Sequence, residues 1–408
     1  MKRVLMIAFH FPPLAGSSGI QRTLRFARHL PSFGWEPIIL TAHSRAYERT
    51  ADDQLGDIPA DLKVIRAPAW DTARHLSIAG RYPGFLARPD RWISWWLGAV
   101  PAGRKLIEQY RPQAIWSTYP TATAHRIGST LHASSGLPWI ADFRDPMAQD
   151  GYPEDPATWR SFARIEADAL AHAAVSTFTT PSALALYQQR YPAHASRMHL
   201  LENGYDEETF SSSTGGEPLN PARLTLLHSG IVYPSERDPR ALFSALAQLK
   251  QTSPSIYGQL KLRFRAPVHD ALLNDLAKQN DVQDAIEILP PVGYREALAE
   301  MLRADGLLIL QASNCNAQIP AKLYEYMRAT RPILVLSDPI GDTAVTSRAA
   351  GLSAIAPLDD VSAIETLLAN FAAAPDAGTH PTPAAVEGAS RRGRTRVLAQ
   401  LLDAATSR

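Results

Sequence analysis

Short apolar runs alternate with amphipathic stretches along almost the whole chain. Residues 4–9 and 307–310 are continuously apolar rather than alternating, the pattern of central parallel strands covered on both faces. Further strands are expected at 37–41, 64–67, 114–117, 139–142, 177–179 and 199–201, and then at 224–228, 260–264, 286–289, 332–336 and 353–355. Helical spacing fills most of the intervals. Leu24, Ala27, Leu30 and Phe33 mark a helix over 21–33, and further helices are expected at 361–371 and 384–405. This rhythm implies doubly wound parallel sheets with right-handed crossovers, whose ligands gather beyond the carboxyl ends of the strands.

A chain of 408 residues exceeds what one core usually supports, so two domains are expected. The polar run 211–216, S-S-S-T-G-G, is the best linker candidate. Boundaries follow at 1–205, 206–222 for the linker, 223–383, and 384–408 for a final helix. A formal net charge of +1 indicates no general affinity for nucleic acid. The single cysteine, Cys315, excludes an intrachain disulfide framework, suits a reducing compartment and supports no zinc pattern. The N-terminal apolar run is too short for a signal peptide and runs into Pro12-Pro13, so it reads as a first strand. No run approaches the ~20 apolar residues of a membrane span, and any membrane contact is expected to be peripheral.

Candidate chemistry lies at the strand ends. After the first strand, Gly16 and Gly19 clear a loop for a ligand or simply make a turn; their spacing is not the G-x-G-x-x-G dinucleotide fingerprint. Asp142, Arg144 and Asp145 share one loop, where they either orient sugar hydroxyls or form an internal salt-bridge cluster. His125 sits on the helix after Ser117–Thr121 and reads as structural or acceptor-facing. Between these ends, 70–111 mixes Trp92, Trp95 and Trp96 with seven arginine or lysine residues against Asp71, Asp90 and Glu108. That mixture suits either an anionic lipid surface or tryptophans packed in a core.

The second half repeats the scheme. Gly230 and Arg237 follow its first strand, and an arginine fork there suits a diphosphate or a surface ion pair. Gly293 and Tyr294 end a later strand, where backbone and ring can meet a flat base. The helix expected to open at Pro320 carries Lys322 and Glu325 three residues apart. At a helix N-terminus beyond a parallel strand, the lysine suits an anion and the glutamate a pair of ribose hydroxyls; the bland reading is a weak surface pair.

The ordered pieces F-H-F-P-P-L-A-G-S-S-G, D-F-R-D-P, E-N-G-Y-D, H-S-G-I-V-Y and P-A-K-L-Y-E-Y-M-R-A-T-R-P-I-L together resemble retaining glycosyltransferases of the GT-B fold, the group 1 or family 4 transferases. The resemblance implies an α/β protein with two Rossmann-like, doubly wound domains facing across a cleft. The final helix would pack back on the first domain. A nucleoside-diphosphate sugar would be the donor and a sugar or lipid-linked sugar the acceptor, with no metal and no other cofactor. Donor contacts would come from Gly16, Gly19, Gly230, Arg237, Gly293, Tyr294, Asn316, Gln318, Lys322, Leu323 and Glu325, and acceptor contacts from Asp142, Arg144, Asp145 and His125. Arg237, Lys322 and Asp142 would serve catalysis. Glu325 is similar to the second glutamate of the E-x7-E motif, but the first falls at Ala317, a departure that leaves Asn316 or Gln318 to handle the donor sugar. Bacterial surface polysaccharide or glycolipid assembly in the cytoplasm, with peripheral contact at the inner membrane, is the implied setting. A sugar-nucleotide epimerase or a non-catalytic nucleotide-sugar-binding scaffold are the alternatives.

Overall fold

Residues 1–15, 19–52, 54–211 and 215–407 are described by the computed structural model. The chain divides into two compact units, 1–202 with 391–408, and 203–390. The expected linker 206–222 therefore lies inside the second unit, and the chain crosses between units at 202–203 and again at 390–391.

Seven strands build the first unit: β1 (Lys2–Ile7), β2 (Trp35–Ala42), β3 (Lys63–Ala67), β4 (Ala114–Thr118), β5 (Trp139–Arg144), β6 (Val175–Phe178) and β7 (Met198–Leu200). They form one parallel sheet in the order β3-β2-β1-β4-β5-β6-β7. Six more build the second: β8 (Leu224–Ser229), β9 (Leu260–Arg265), β10 (Ile286–Leu289), β11 (Gly306–Gln311), β12 (Ile333–Ser337) and β13 (Ile355–Ala356). Their order is β10-β9-β8-β11-β12-β13, again parallel throughout.

Unbroken apolar runs arise because neighbouring residues of one strand feed different cores. Leu5 and Ile7 join Trp95 and Trp139 on one face of the first sheet, whereas Val4 and Met6 join Trp35 and Trp116 on the other. Leu308 and Leu310 likewise separate from Leu307 and Ile309 in the second. Each such side chain contributes about 1.5–3 kcal/mol on full burial, so both faces are committed and the register is fixed.

Several elements differ from expectation, among them the first strand and the last helix. β1 begins two residues earlier than 4–9, because Lys2 and Arg3 pair with Trp35 and Glu36 at the wet end of the strand, where apolar patterning stops. The helix expected over 384–405 is two: Pro383–Gly388 in the second unit and Arg391–Thr406 in the first. The latter buries Leu398, Ala399 and Leu402 beside Leu24, Phe26 and Leu30. No helix among the described residues is long and apolar enough to cross a membrane.

Candidate functional site

In the second unit the chain runs from β8 outward through β9 and β10, then returns to place β11 on the opposite side of β8. The loops beyond β8 and β11 therefore diverge at their carboxyl ends, leaving a crevice there. They are stitched together by Ala312 N–H donating to the Glu236 carbonyl at 2.7 Å and by Asn314 Nδ2 donating to the Ser235 carbonyl at 2.9 Å. Gly230 opens the first loop at φ 141° with open space where a Cβ would stand, a backbone setting that favours glycine. Arg237 donates to the Ile231 carbonyl at 2.6 Å and lies over the Tyr233 ring, 5.2 Å from its centroid.

From the other side comes the helix Ala321–Ala329. Pro320 sits one residue outside it, in extended conformation, rather than at its first position. Lys322 Nζ meets Glu325 Oε2 at 2.7 Å, and Tyr294, first residue of the helix Tyr294–Arg303, donates from its hydroxyl to Glu325 Oε1 at 2.9 Å. The ammonium also stands 5.8 Å from the Tyr294 ring centroid. Gly293 caps that tyrosine's helix. The helix is held to β9 by Glu300, which accepts from Arg263 at 3.0 Å and from Arg265 at 2.7 and 2.8 Å. Burial would raise the Glu300 carboxyl, but these two arginines outweigh it and hold its pKa down.

His228 belongs to the same strand end. Its imidazole is buried at the end of β8, with Nδ1 2.9 Å from the Leu308 carbonyl and Nε2 without a partner. Burial lowers its pKa to about 4, the Leu308 carbonyl opposes, and the charges of Arg237 and Lys322 both press further down. One cation from the loop after β8 and one from the helix Ala321–Ala329 thus act on one strand end.

A cleft of about 700 Å³ lies alongside, lined by Ser235, Asp238, Arg240, Asn314, Asp338 and Asp359 among others. Neither Arg237, Lys322 nor Glu325 lines it. It sets three carboxylates, Asp238, Asp338 and Asp359, against one arginine, Arg240, a balance that disfavours a diphosphate. Asn316 is tied to the cleft's rim, donating to Asp338 Oδ2 at 2.8 Å, and so joins two loops instead of reaching outward. Gln318 and Ala317 are exposed on the same loop. Leu323, expected at the donor, is corrected: its side chain is fully buried and its N–H is given to the Pro320 carbonyl. Gly19 begins the helix Gly19–His29 in the first unit; Gly16 lies outside the described residues.

The first unit redistributes the acceptor candidates. Asp142 is wholly buried and accepts four bonds: from Arg22 Nε at 2.9 Å and Nη2 at 2.7 Å, from Thr118 Oγ1 at 2.8 Å and from Thr177 Oγ1 at 2.8 Å. Burial pushes its pKa up, yet the Arg22 charge and these bonds outweigh it and hold the carboxyl low. With every lone-pair direction occupied, Asp142 is a structural anchor and not the acceptor or catalytic carboxylate expected. His125 is corrected too. It packs fully buried against Trp139 and Phe143 with Nδ1 2.8 Å from Ser117 Oγ, and burial lowers its pKa to about 4.

Asp145 is exposed, and Arg144 is almost buried at φ 59°, with Nε unpartnered. Burial and the nearby Arg22 charge both lower the Arg144 pKa. His10, which sequence reasoning passed over, stands at the end of the β1 segment and lines a hollow of about 290 Å³ with Phe9, Leu14, Glu48, Arg49 and Trp92. Burial, then the Arg144 charge, lower its pKa to about 4. Its position directly after an apolar run was the available signal.

Residues 18–204 match the glycosyl transferase 4-like domain. Anabaena HepE in complex with UDP is similar in structure, at a TM-score of 0.61 and 11% identity over 100% of this chain and 98% of that one. Sucrose-phosphate synthase from Thermosynechococcus elongatus gives 0.59 and 15%, covering 100% and 97%. WaaG, a glycosyltransferase involved in lipopolysaccharide biosynthesis, gives 0.57 and 14%, covering 99% and 98%. No curated protein sequence matches the chain. Residues 18–204 thus match a glycosyl transferase 4-like domain, and the chain as a whole has the two-domain α/β GT-B fold.

Proposed function

We propose that the protein transfers a sugar from a nucleoside-diphosphate sugar to an acceptor hydroxyl with retention at the anomeric carbon. The observation that carries this reading is that the helix bearing Lys322 and Glu325 is tied to the end of β8, Ser229 N–H donating to the Tyr326 hydroxyl at 2.9 Å, beside the loop that carries Arg237 and beside Tyr294. The reaction breaks the bond from C1 to the diphosphate oxygen and forms one from C1 to the acceptor oxygen, whose proton passes to the departing phosphate. Negative charge grows on the diphosphate, where the two cations and the N-terminus of Ala321–Ala329 stabilise it.

The Lys322–Glu325 pair is no obstacle. A pair three residues apart on a helix, here with side chains 31% and 14% exposed, contributes about 0.2–0.5 kcal/mol, less than the roughly 1.5–3 kcal/mol of a hydrogen bond to a charged group. Phosphate therefore draws Lys322 away, and Glu325 is released to accept from the ribose hydroxyls. Gln318 and the loop around Ala317 then face the sugar. No protein nucleophile is assigned; attack on the same face as departure gives retention without one. His10, Arg144 and Asp145 form the acceptor end in the first unit. The UDP in the HepE structure and the lipopolysaccharide role of WaaG support a uridine diphosphate donor and a lipid-carried acceptor in surface polysaccharide or glycolipid assembly.

The test is a thermal shift of the whole chain against nucleoside diphosphates and their sugars, with and without magnesium, for wild type, Lys322→Ala and Glu325→Ala. Binding to the folded state alone raises its apparent stability by about 2.7 kcal/mol at a ligand concentration of a hundred times Kd. A metal-independent shift in wild type that both variants lose is the expected result. Absence of any shift, or variants that respond like wild type, removes the donor site from this helix. Conversion of the donor without added acceptor would assign an epimerase instead.

A further inference from the structure

The loop that leaves β5 carries the exposed Asp145, and its backbone is pinned by buried side chains that the proposed reaction does not use. The chain first bends sharply. Arg144 stands at φ 59°, and Asp145 N–H donates back to the Phe143 carbonyl at 2.7 Å, a three-residue turn that is rare and strained at positive φ. Such strain persists only where the surroundings over-determine it. On one side Thr179 does so, its N–H and Oγ1 donating to the Arg144 carbonyl at 3.3 and 2.6 Å.

On the other side stands Glu166, a fully buried carboxylate of the helix Pro156–His172. Its Oε2 accepts from Ala148 N–H at 3.1 Å and from the Tyr187 hydroxyl at 2.5 Å. Its Oε1 accepts from Arg190 Nη1 at 2.9 Å and from the Tyr191 hydroxyl at 2.8 Å. Two of these partners also reach the loop directly: Met147 N–H donates to the Tyr187 oxygen at 2.9 Å, and Arg190 Nη1 donates to the Ala148 carbonyl at 2.6 Å. Burial, then the charge of Glu166, push the Tyr187 phenol well up, so its hydroxyl stays protonated and donates to the carboxylate while accepting from Met147. One buried cluster thus holds three backbone groups of two consecutive residues. Packing two helices together does not ask for this, since well-fitted apolar residues serve that purpose as well as a buried ion pair or better.

We propose that Glu166 is a positioning residue for the acceptor: through Tyr187 and Arg190 it fixes Met147 and Ala148, holds the turn at Arg144 and so sets where Asp145 meets the acceptor. The inference rests on the proposed function, which puts Asp145 at the acceptor end. A misplacement of about 1 Å costs a transfer reaction on the order of a hundredfold, so a strained turn braced from both sides has a catalytic use.

Removing Glu166 itself would strand the Arg190 guanidinium, so single hydroxyls are removed instead. Tyr187→Phe and Tyr191→Phe each delete one bond to Glu166, but only the Tyr187 hydroxyl also holds the loop. Wild type and both variants of the whole chain are compared by melting temperature, by hydrogen exchange of the peptide covering 145–150, by thermal shift with UDP, and by transfer from UDP-glucose to a panel of alkyl glycosides. Tyr187→Phe is expected to exchange roughly tenfold faster in that peptide and to raise the KM for the best glycoside roughly fivefold, with its UDP shift unchanged. Tyr191→Phe is expected to melt lower than wild type while exchange, KM and UDP shift stay at wild-type values. The proposal is overturned if Tyr187→Phe leaves the loop or the KM unaltered, or if Tyr191→Phe moves both equally, which would make the cluster a brace between two helices. A wild type with no UDP shift would overturn the transferase reading, and this use of the loop with it; that result needs neither variant, so the two failures are told apart.

Discussion

Replacing Asp142 by asparagine separates a structural carboxylate from a catalytic one. The side chain keeps its size but loses its charge, leaving the Arg22 guanidinium, 2% exposed, without a counter-ion. Neither partner is screened by water, so no discount for exposure applies. Removing one member of a buried ion pair costs about 3–5 kcal/mol, which for a unit of this size lowers its melting temperature by roughly 6–20 °C. Arg22 also donates to the Leu201 and Glu202 carbonyls at 2.8 and 3.1 Å, so β7's end and the crossing to the second unit should loosen with it. The assay is scanning calorimetry of Asp142→Asn, Arg22→Met and the double variant. The double should cost at least ~1 kcal/mol less than the sum of the singles, since the second change removes a charge the first has already stranded. A variant that melts within a degree of wild type yet loses sugar transfer would refute this reasoning and return Asp142 to the reaction.

Acidification gives another test. His10 and His125 in the first unit and His228 in the second each have a folded pKa near 4 against an ordinary 6.5. The unfolded chain therefore takes up protons between pH 6.5 and 4 that the folded chain refuses, so stability falls as pH falls through that window. The slope approaches ~1.4 kcal/mol per pH unit per histidine, twice as steep for the first unit; urea titrations at successive pH values that stay flat down to pH 5 would contradict it. Gly98→Ala should cost about 1–3 kcal/mol by overpacking, because its Cβ would stand 2.3 Å from the Pro68 carbonyl oxygen, which is backbone and cannot swing away. A urea midpoint unchanged from wild type would count against that packing.

Both sheets could be read from the chain because their strands are buried on two faces and announce themselves without any long-range information. That Lys322 and Glu325 share one face was equally legible, since one helix fixes their spacing. What the sequence hid depends on distant partners. Asp142 looks like a sugar-binding carboxylate until Arg22, 120 positions away, claims it. Glu325 is tied to Tyr294 across 31 positions, a link no periodicity carries. Trp95, left open between a surface and a core, turns inward, because composition says which residues are apolar and not which way a helix aims them.

The helix Arg391–Thr406 has one more consequence, for biogenesis. Leu398 and Leu402 cover Leu24, Phe26, Leu30 and Trp35, residues made before the second unit, with a patch made after it. During translation, the growing chain carries that greasy strip uncovered while the whole of 203–390 emerges and folds. The second unit is thus a finished insert inside an unfinished host. Tyr205 and Ser390, bridged in parallel with Tyr205 N–H on the Ala389 carbonyl at 3.1 Å, bring the insert's entry and exit side by side. A ribosome stalled before residue 391 would release a chain with one complete unit and one sticky one, a natural client for a chaperone.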